Sequence, residues 1–316
     1  MSIIDLDSDT DPYASAPRDP ARYDKLAKLG RAEKKLLLDE LCIVDPVAWA
    51  KARAGFDLDP WQKAFLRAKG NTAVVAGRRV GKTAVVALRA AHHIAVAAEL
   101  GVPDRTALVI APSLRQATET TRAARAALAK ALPDVEFASD NKLQIELPWG
   151  ARLIALPGEA STSRGFTASM AIAEESQSLE HADEIFATIA PTLATTGGPL
   201  IVVGTPMDYQ DVLYPIFEGE AVHDPSWSRF RIPTRWCPRV PRSFLEEQRR
   251  LLGEMIYARE FEAQWSAPTS GMFDRDLLTA ALLPNDFTFA APSPAPARVH
   301  PTSQGLGAAI AAAVIS

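Results

Sequence analysis

The chain has 316 residues, of which 47% are apolar and 23% charged, with a formal net charge of −4. That length and composition build a sizeable core and suit one large domain with appendages. They exclude a wholly basic nucleic-acid coat, although a local basic stripe is enough to grip phosphates.

Residues 1–24 are rich in aspartate and proline and poor in apolar side chains, which predicts disorder and does not resemble a secretory leader. Residues 25–60 read as an N-terminal helical segment. LAKLGRAEKKLLLDEL predicts an amphipathic helix over Tyr23–Leu41, and Asp45-Pro46 opens a second over Asp45–Ala54. Residues 61–235 read as an ATPase-like core of short apolar runs and helical patterns. Strands are predicted at Thr72–Ala76, Thr106–Ala111, Thr167–Ala173 and Pro199–Gly204, with a hairpin formed by Lys142–Leu147 and Ala151–Leu156. Helices are predicted at Lys82–Leu100, Ser113–Ala131, Ala182–Ala194 and Gln210–Glu218. This alternation predicts an α/β fold with a mostly parallel sheet covered on both faces. Residues 236–283 form a small helical linker subdomain, with helices at Ser243–Leu252 and Glu254–Trp265, and residues 284–316 are a Pro/Ala-rich tail. Cys42 and Cys237 lie far apart without metal-ligand spacing, so both are expected to be idle thiols in a reducing compartment. No apolar run reaches the roughly 18 residues of a membrane span, so a soluble, cytoplasmic protein without membrane contact is expected.

The strongest chemical signal is AGRRVGKT, comprising Ala76, Gly77, Arg78, Arg79, Val80, Gly81, Lys82 and Thr83. It lies between an apolar strand and a helix, the setting that a phosphate-binding loop requires. Backbone N–H groups of such a loop and the following helix turn point at phosphates. Lys82 supplies a compact charge to the β- and γ-phosphates of ATP, and Thr83 a hydroxyl ligand to Mg²⁺. Arg78 and Arg79 add two guanidiniums within reach of a γ-phosphate or a neighbouring acid. Upstream, Asp59-Pro60-Trp61-Gln62 admits two readings. Gln62 either hydrogen-bonds an adenine edge beside the indole, or belongs to a helix N-terminus with a buried Trp61.

Met170–Ala173 leads into Glu174-Glu175, an apolar strand ending in two acids. The first suits Mg²⁺ or its water, and the second suits polarisation of an attacking water. Asp183-Glu184 is a poorer candidate, since a helix N-terminus explains it. Thr205, at the tip of the strand ending Val203-Gly204, is placed to sense a γ-phosphate. Arg164, in the loop Ser161–Gly165, is read either as a stabiliser of transition-state charge, in its own site or a neighbour's, or as a DNA phosphate contact. His92 and His93 have no partner ligands in the pattern and read as surface and packing residues.

In this order and spacing, WQ, GRRVGKT, LVIAPSLRQA, RGFTASMAIAEES and LIVVGTPMD resemble the large terminase subunit of tailed phages. LYPIFEGE and FLEEQRRLLGEMIYAREFEAQW resemble its linker region. The resemblance covers Asp45–Leu283 and implies a P-loop NTPase fold of the additional-strand, catalytic-Glu type. It also implies a motor that hydrolyses ATP with Mg²⁺ and drives double-stranded DNA into a procapsid. Portal protein, procapsid and the small terminase subunit are the partners implied, with a homo-oligomeric ring when docked. By position it assigns Gln62 to the adenine motif, Lys82 and Thr83 to the phosphate loop, Glu174 and Glu175 to the acidic pair and Thr205 to the coupling motif. Glu174 departs from the aspartate usual in the family. The family's nuclease half has no counterpart, and Asp274, Asp276 and Asp286 do not make the carboxylate nest of two-metal cleavage, so DNA cutting is not expected. Two alternatives stand beside this reading: another helicase-like DNA translocase, and a non-catalytic prophage remnant that only binds DNA or portal.

Overall fold

The computed structural model describes residues 30–159 and 162–266. Three helices come first: α1 (Arg31–Val44), α2 (Pro46–Ala52) and α3 (Pro60–Arg67). Each of the last two starts where an aspartate and a proline meet. The Asp45 carboxylate accepts from the Val47 amide, and Asp59 and Gln62 close a reciprocal capping box. The remaining elements are β1 (Asn71–Ala76), α4 (Lys82–Ala95), β2 (Thr106–Ala111), α5 (Leu114–Ala131), β3 (Ser139–Asp140), β4 (Gln144–Glu146) and β5 (Arg152–Pro157). They continue with β6 (Met170–Glu174), α6 (Ala182–Leu193), β7 (Leu200–Gly204), α7 (Tyr214–Phe217), β8 (Trp227–Ile232), α8 (Arg242–Leu252) and α9 (Glu254–Glu262).

The strands form one sheet in the order β3-β4-β5-β2-β6-β7-β1-β8. From β5 to β8 all neighbours are parallel, and the β3-β4-β5 end is antiparallel. Because side chains alternate along a strand, each strand feeds two cores. Val74, Ala76, Val109, Met170 and Ile172 pack under α4 and α5, whereas Ala73, Val75, Ala171, Ala173 and Val202 pack under α6 and α7. Every residue of β1, β2, β6 and β7 is buried, which is why these runs are continuously apolar instead of alternating.

The predicted α/β architecture is present, with differences at the ends of elements. The first helix covers Arg31–Val44 in place of Tyr23–Leu41, whose beginning lies outside the described residues. The helix predicted over Lys82–Leu100 stops at Ala95, the strand predicted from Thr167 starts at Met170, and Gln210–Glu218 holds only the short α7. Strand β8 has no counterpart among the predicted elements: Arg229 and Arg231 interrupt its apolar run, yet it pairs with β1 along its whole length. His92 is 8% exposed, which makes it a packing residue, and His93 is half-buried. Burial lowers both imidazoles to pKa about 4. Both cysteines are free and buried, as expected. Ser161, Asp274, Asp276, Asp286 and the tail 284–316 lie outside the described residues.

Candidate active site

Central strands β1, β6 and β7 end side by side, so the loops that follow them converge on one cleft of about 470 Å³. Arg78, Arg79, Gly81, Lys82, Thr83, Glu175, Gln177 and Thr205 line it. The loop leaving β1 is held in an unusual shape. Arg79 and Gly81 both have positive φ, at 67° and 90°, while Val80 is fully buried and pins the loop to the core. A non-glycine residue in that region is strained and is found mostly at sites where the surroundings impose it.

Lys82 folds back over the loop. Its Nζ donates to the carbonyls of Ala76 (3.1 Å) and Gly77 (3.3 Å) and to Thr205 Oγ1 (2.8 Å). It is half-buried, where a solvent-facing lysine is the simplest expectation for a phosphate loop. Burial pushes its ammonium below the ordinary lysine range, and the nearby Glu175 opposes that shift. The ammonium is thus held by neutral oxygens, which an incoming phosphate oxyanion outcompetes.

The two acids sit in different surroundings. Glu174 is 3% exposed, and its carboxylate accepts a hydrogen bond from the Thr120 hydroxyl, with the Thr83 hydroxyl close by. Desolvation raises its pKa, and the Thr120 and Thr83 hydroxyls partly offset that shift. Glu175 follows with φ 51°, a left-handed turn that ends the strand and turns the next carboxylate into the cleft. There Gln177 Nε2 donates to Glu175 Oε2 at 2.7 Å, while the Thr205 amide donates to Gln177 Oε1 at 3.2 Å. One side chain therefore ties the end of β6 to the tip of β7. A Cβ on Gly204 would stand 2.5 Å from Gln177 Oε1, so a side chain there would push this amide aside. Nothing in the sequence singles out Gln177, because a glutamine two residues after an acid carries no signal by itself.

The base end of the loop corrects one expectation and adds a residue. Trp61 is fully buried, against Phe65 (6.4 Å between ring centroids), so its indole does not flank a base. Gln62 caps α3 through the Asp59 amide (3.0 Å), yet its Nε2 also lies 3.5 Å from the Val80 and Gly81 carbonyls. One side chain thus serves the helix start and reaches the phosphate loop. Arg239 makes a two-pronged ion pair with Asp59, at 2.6 and 2.7 Å, and passes over the same end of the loop.

The helical linker also reaches the loop. The Arg78 amide donates to the Glu260 carbonyl (2.8 Å), the Arg78 guanidinium pairs with the Glu260 carboxylate, and Thr234 Oγ1 donates to the Arg78 carbonyl (2.9 Å). Arg259 and Glu260 line the cleft with Arg78 and Arg79. These contacts span more than 150 positions of chain, so no local spacing reveals them. Arg164 is exposed and lines a separate hollow with Phe166, Thr188 and Pro191, outside the cleft formed by its own chain.

Thr83 and Glu174 offer a hydroxyl and a carboxylate close to one another, a hard-oxygen set that suits Mg²⁺ shared with phosphates. The described residues contain no cluster of three or more His, Cys, Asp or Glu, and a cation bound largely through phosphates and water does not need one.

A comparison with curated protein sequences returned no match. Among solved structures, the chain is similar to the large terminase ATPase domain of Thermus phage P74-26. The TM-score is 0.57 at 17% identity, covering 68% of this chain and 97% of that one. It is also similar to the large terminase of bacteriophage HK97, with TM-score 0.54 and 20% identity over 66% of this chain and 51% of that one. The ADP complex of the large terminase from a thermophilic bacteriophage gives TM-score 0.51 and 11% identity over 71% and 53%. The match thus spans about half the length of these last two proteins. At these identities the likeness concerns the fold, which is that of a terminase ATPase domain. The sequence itself matches the family described as terminase large subunit, T4likevirus-type, N-terminal, over residues 73–280. With that match over most of its length, and with the fold to go with it, the chain belongs to the terminase large-subunit family of phage DNA-packaging proteins.

Proposed function

We propose that this chain binds ATP with Mg²⁺ in the β1–β6–β7 cleft, hydrolyses it, and uses the cycle to move double-stranded DNA into a procapsid. The observation that carries the reading is the continuous chain of contacts Lys82–Thr205–Gln177–Glu175 across three strand ends. Such a unit suits a phosphate cation (Lys82), a γ-phosphate sensor (Thr205) and a base for water (Glu175) acting together. Lys82 and the loop amides hold the phosphates, Gln62 faces the base end, and Thr83 with Glu174 would hold Mg²⁺. When bound there, Mg²⁺ would supply positive charge against the charge that develops on the phosphates. Glu175 takes the proton of the water that attacks the γ-phosphorus, and ADP leaves with the β–γ bridging oxygen. Arg79 lines the cleft and faces the γ-phosphate end. Arg164, outside its own cleft, is suited to a neighbouring subunit's cleft in a homo-oligomeric ring, or to DNA.

In this reading double-stranded DNA, portal protein, procapsid and the small terminase subunit are the partners, and the host cytoplasm is where they meet. No described helix is long and apolar enough to cross a membrane. The test is phosphate release from ATP by the purified chain, with and without linear duplex DNA. Hydrolysis that requires Mg²⁺, rises with DNA and disappears in Lys82→Ala is expected. A Lys82→Ala protein that hydrolyses ATP at the parent rate would remove the assignment.

A further inference from the structure

Glu174 is one methylene longer than the aspartate its family uses at this strand end, and the structure shows where the added length goes. Along β6, Met170, Ile172 and Glu174 share one face by strand alternation, the face packed under α4 and α5. The inward side of α5 there is small: Ala117, Thr120, Thr121, Ala124 and Ala127 are all buried. Thr120, fully buried, stands opposite the strand end and donates its hydroxyl to Glu174 Oε2. Its neighbour Thr121 does what a buried helical threonine commonly does and donates back to the Ala117 carbonyl at 3.1 Å. Thr120 turns its hydroxyl away from its own helix and directs it to the acid. Glu174 is thereby anchored from α5 by Thr120, while Thr83 at the start of α4 lies close to the same carboxylate.

The geometry points to Thr120 as a positioning residue for the cation-binding acid. Glutamate has one more rotatable bond than aspartate, and a carboxylate that wanders loses conformational freedom on each binding event. Anchoring one oxygen on α5 removes that freedom in advance, so that Thr120 and Glu174 together present what a shorter acid presents alone. The inference rests on the ATP·Mg²⁺ reading of the cleft.

The experiment is the binding of a fluorescent ADP analogue to the full chain, in EDTA and across a Mg²⁺ titration. Thr120→Val keeps the shape and removes the hydroxyl. It should raise the Mg²⁺ half-saturation about tenfold, the low end of what loss of an outer partner of a metal ligand costs, and leave binding in EDTA within about twofold. Thr120→Ser keeps the hydroxyl and should follow the parent curve. In a Glu174→Asp background the carboxylate is drawn back from α5, and Thr120→Val should then have little further effect. A parent-like Mg²⁺ curve for Thr120→Val overturns the inference, and so does an equal shift for the Val and Ser variants, which would make Thr120 a packing residue only. If Thr120→Val does not fold, Thr120→Ala against Thr120→Ser makes the same comparison. A parent chain that binds the analogue in neither condition overturns the nucleotide reading itself, a result distinct from a parent that responds to Mg²⁺ and a Thr120→Val that responds equally.

Discussion

Replacing Gln177 by methionine preserves length and volume and deletes both hydrogen bonds that join Glu175 to the tip of β7. The bond from Nε2 to the Glu175 carboxylate is 2.7 Å long and charge-assisted. Bonds of that kind contribute about 1.5–3 kcal/mol. If the whole of that serves to hold Glu175 for its attack on water, kcat falls by about one to two orders of magnitude, at about 1.4 kcal/mol per tenfold. Under the proposed function the phosphates are held by Lys82 and the loop amides instead, so KM for ATP should stay within about twofold. The second bond, from the Thr205 amide at 3.2 Å, contributes to the fold more than to the chemistry, and its loss should lower the urea midpoint. Gln177→Glu keeps an acceptor for Thr205 but sets a second carboxylate beside Glu175, so it should lose turnover at least as fully as Gln177→Met. Steady-state phosphate release with duplex DNA, read beside urea melts, measures both. A Gln177→Met protein that folds and retains kcat within about twofold, or that loses only KM, would refute the role assigned to this side chain.

Glu175→Gln should still bind ATP and lose turnover by about 10² or more, the usual scale of general-base assistance, as checked by filter binding beside phosphate release. Glu174→Gln should instead weaken the Mg²⁺ dependence of binding, and reversed phenotypes would exchange the two roles. Gly77→Ala should destabilise the chain by about 1–3 kcal/mol in urea melts, because a Cβ would stand 2.3 Å from Thr234 Oγ1 and 2.7 Å from the Phe261 carbonyl oxygen. Acidification should also destabilise the fold through His92 and His93, whose pKa values fall from 6.5 to about 4 in the native chain. Between those two values the unfolded chain binds protons that the folded imidazoles refuse, so their contribution is lost as pH falls through that window. Asp211, raised to about 6 by burial, acts in the opposite direction. A His93→Asn variant should show a smaller difference between urea midpoints at about pH 7 and about pH 5, and an unchanged difference would reject the assignment.

Local signals in this chain are legible wherever the chemistry is contiguous. AGRRVGKT carries its own strand-to-helix geometry, and the runs ending at Glu174 and Thr205 are apolar because they lie in the middle of the sheet. Boundaries are less legible, since the end of α4 at Ala95 and the first paired residue of β6 depend on neighbours that periodicity does not register. Strand β8 is hidden because its two arginines find partners across the fold: Arg229 donates to the Ile216 carbonyl at 2.7 Å, and Arg231 packs over Trp265 at 4.8 Å. The remaining parts of the site are contacts between distant positions. Gln177 bridges β6 to β7, Thr120 reaches Glu174 from α5, Arg239 meets Asp59, and Glu260 meets Arg78. The fold class, the phosphate loop, the acidic pair and the terminase resemblance can all be read from the chain of letters, because each is carried by adjacent residues whose burial and backbone shape leave a local pattern. That Trp61 is core, that Lys82 folds onto Thr205, that Arg164 lies outside its own cleft and that the linker grips the loop emerge only once the chain is folded. Those outcomes follow from the order in which parallel strands assemble, which sets side chains far apart in sequence against one another and leaves no spacing by which to read them.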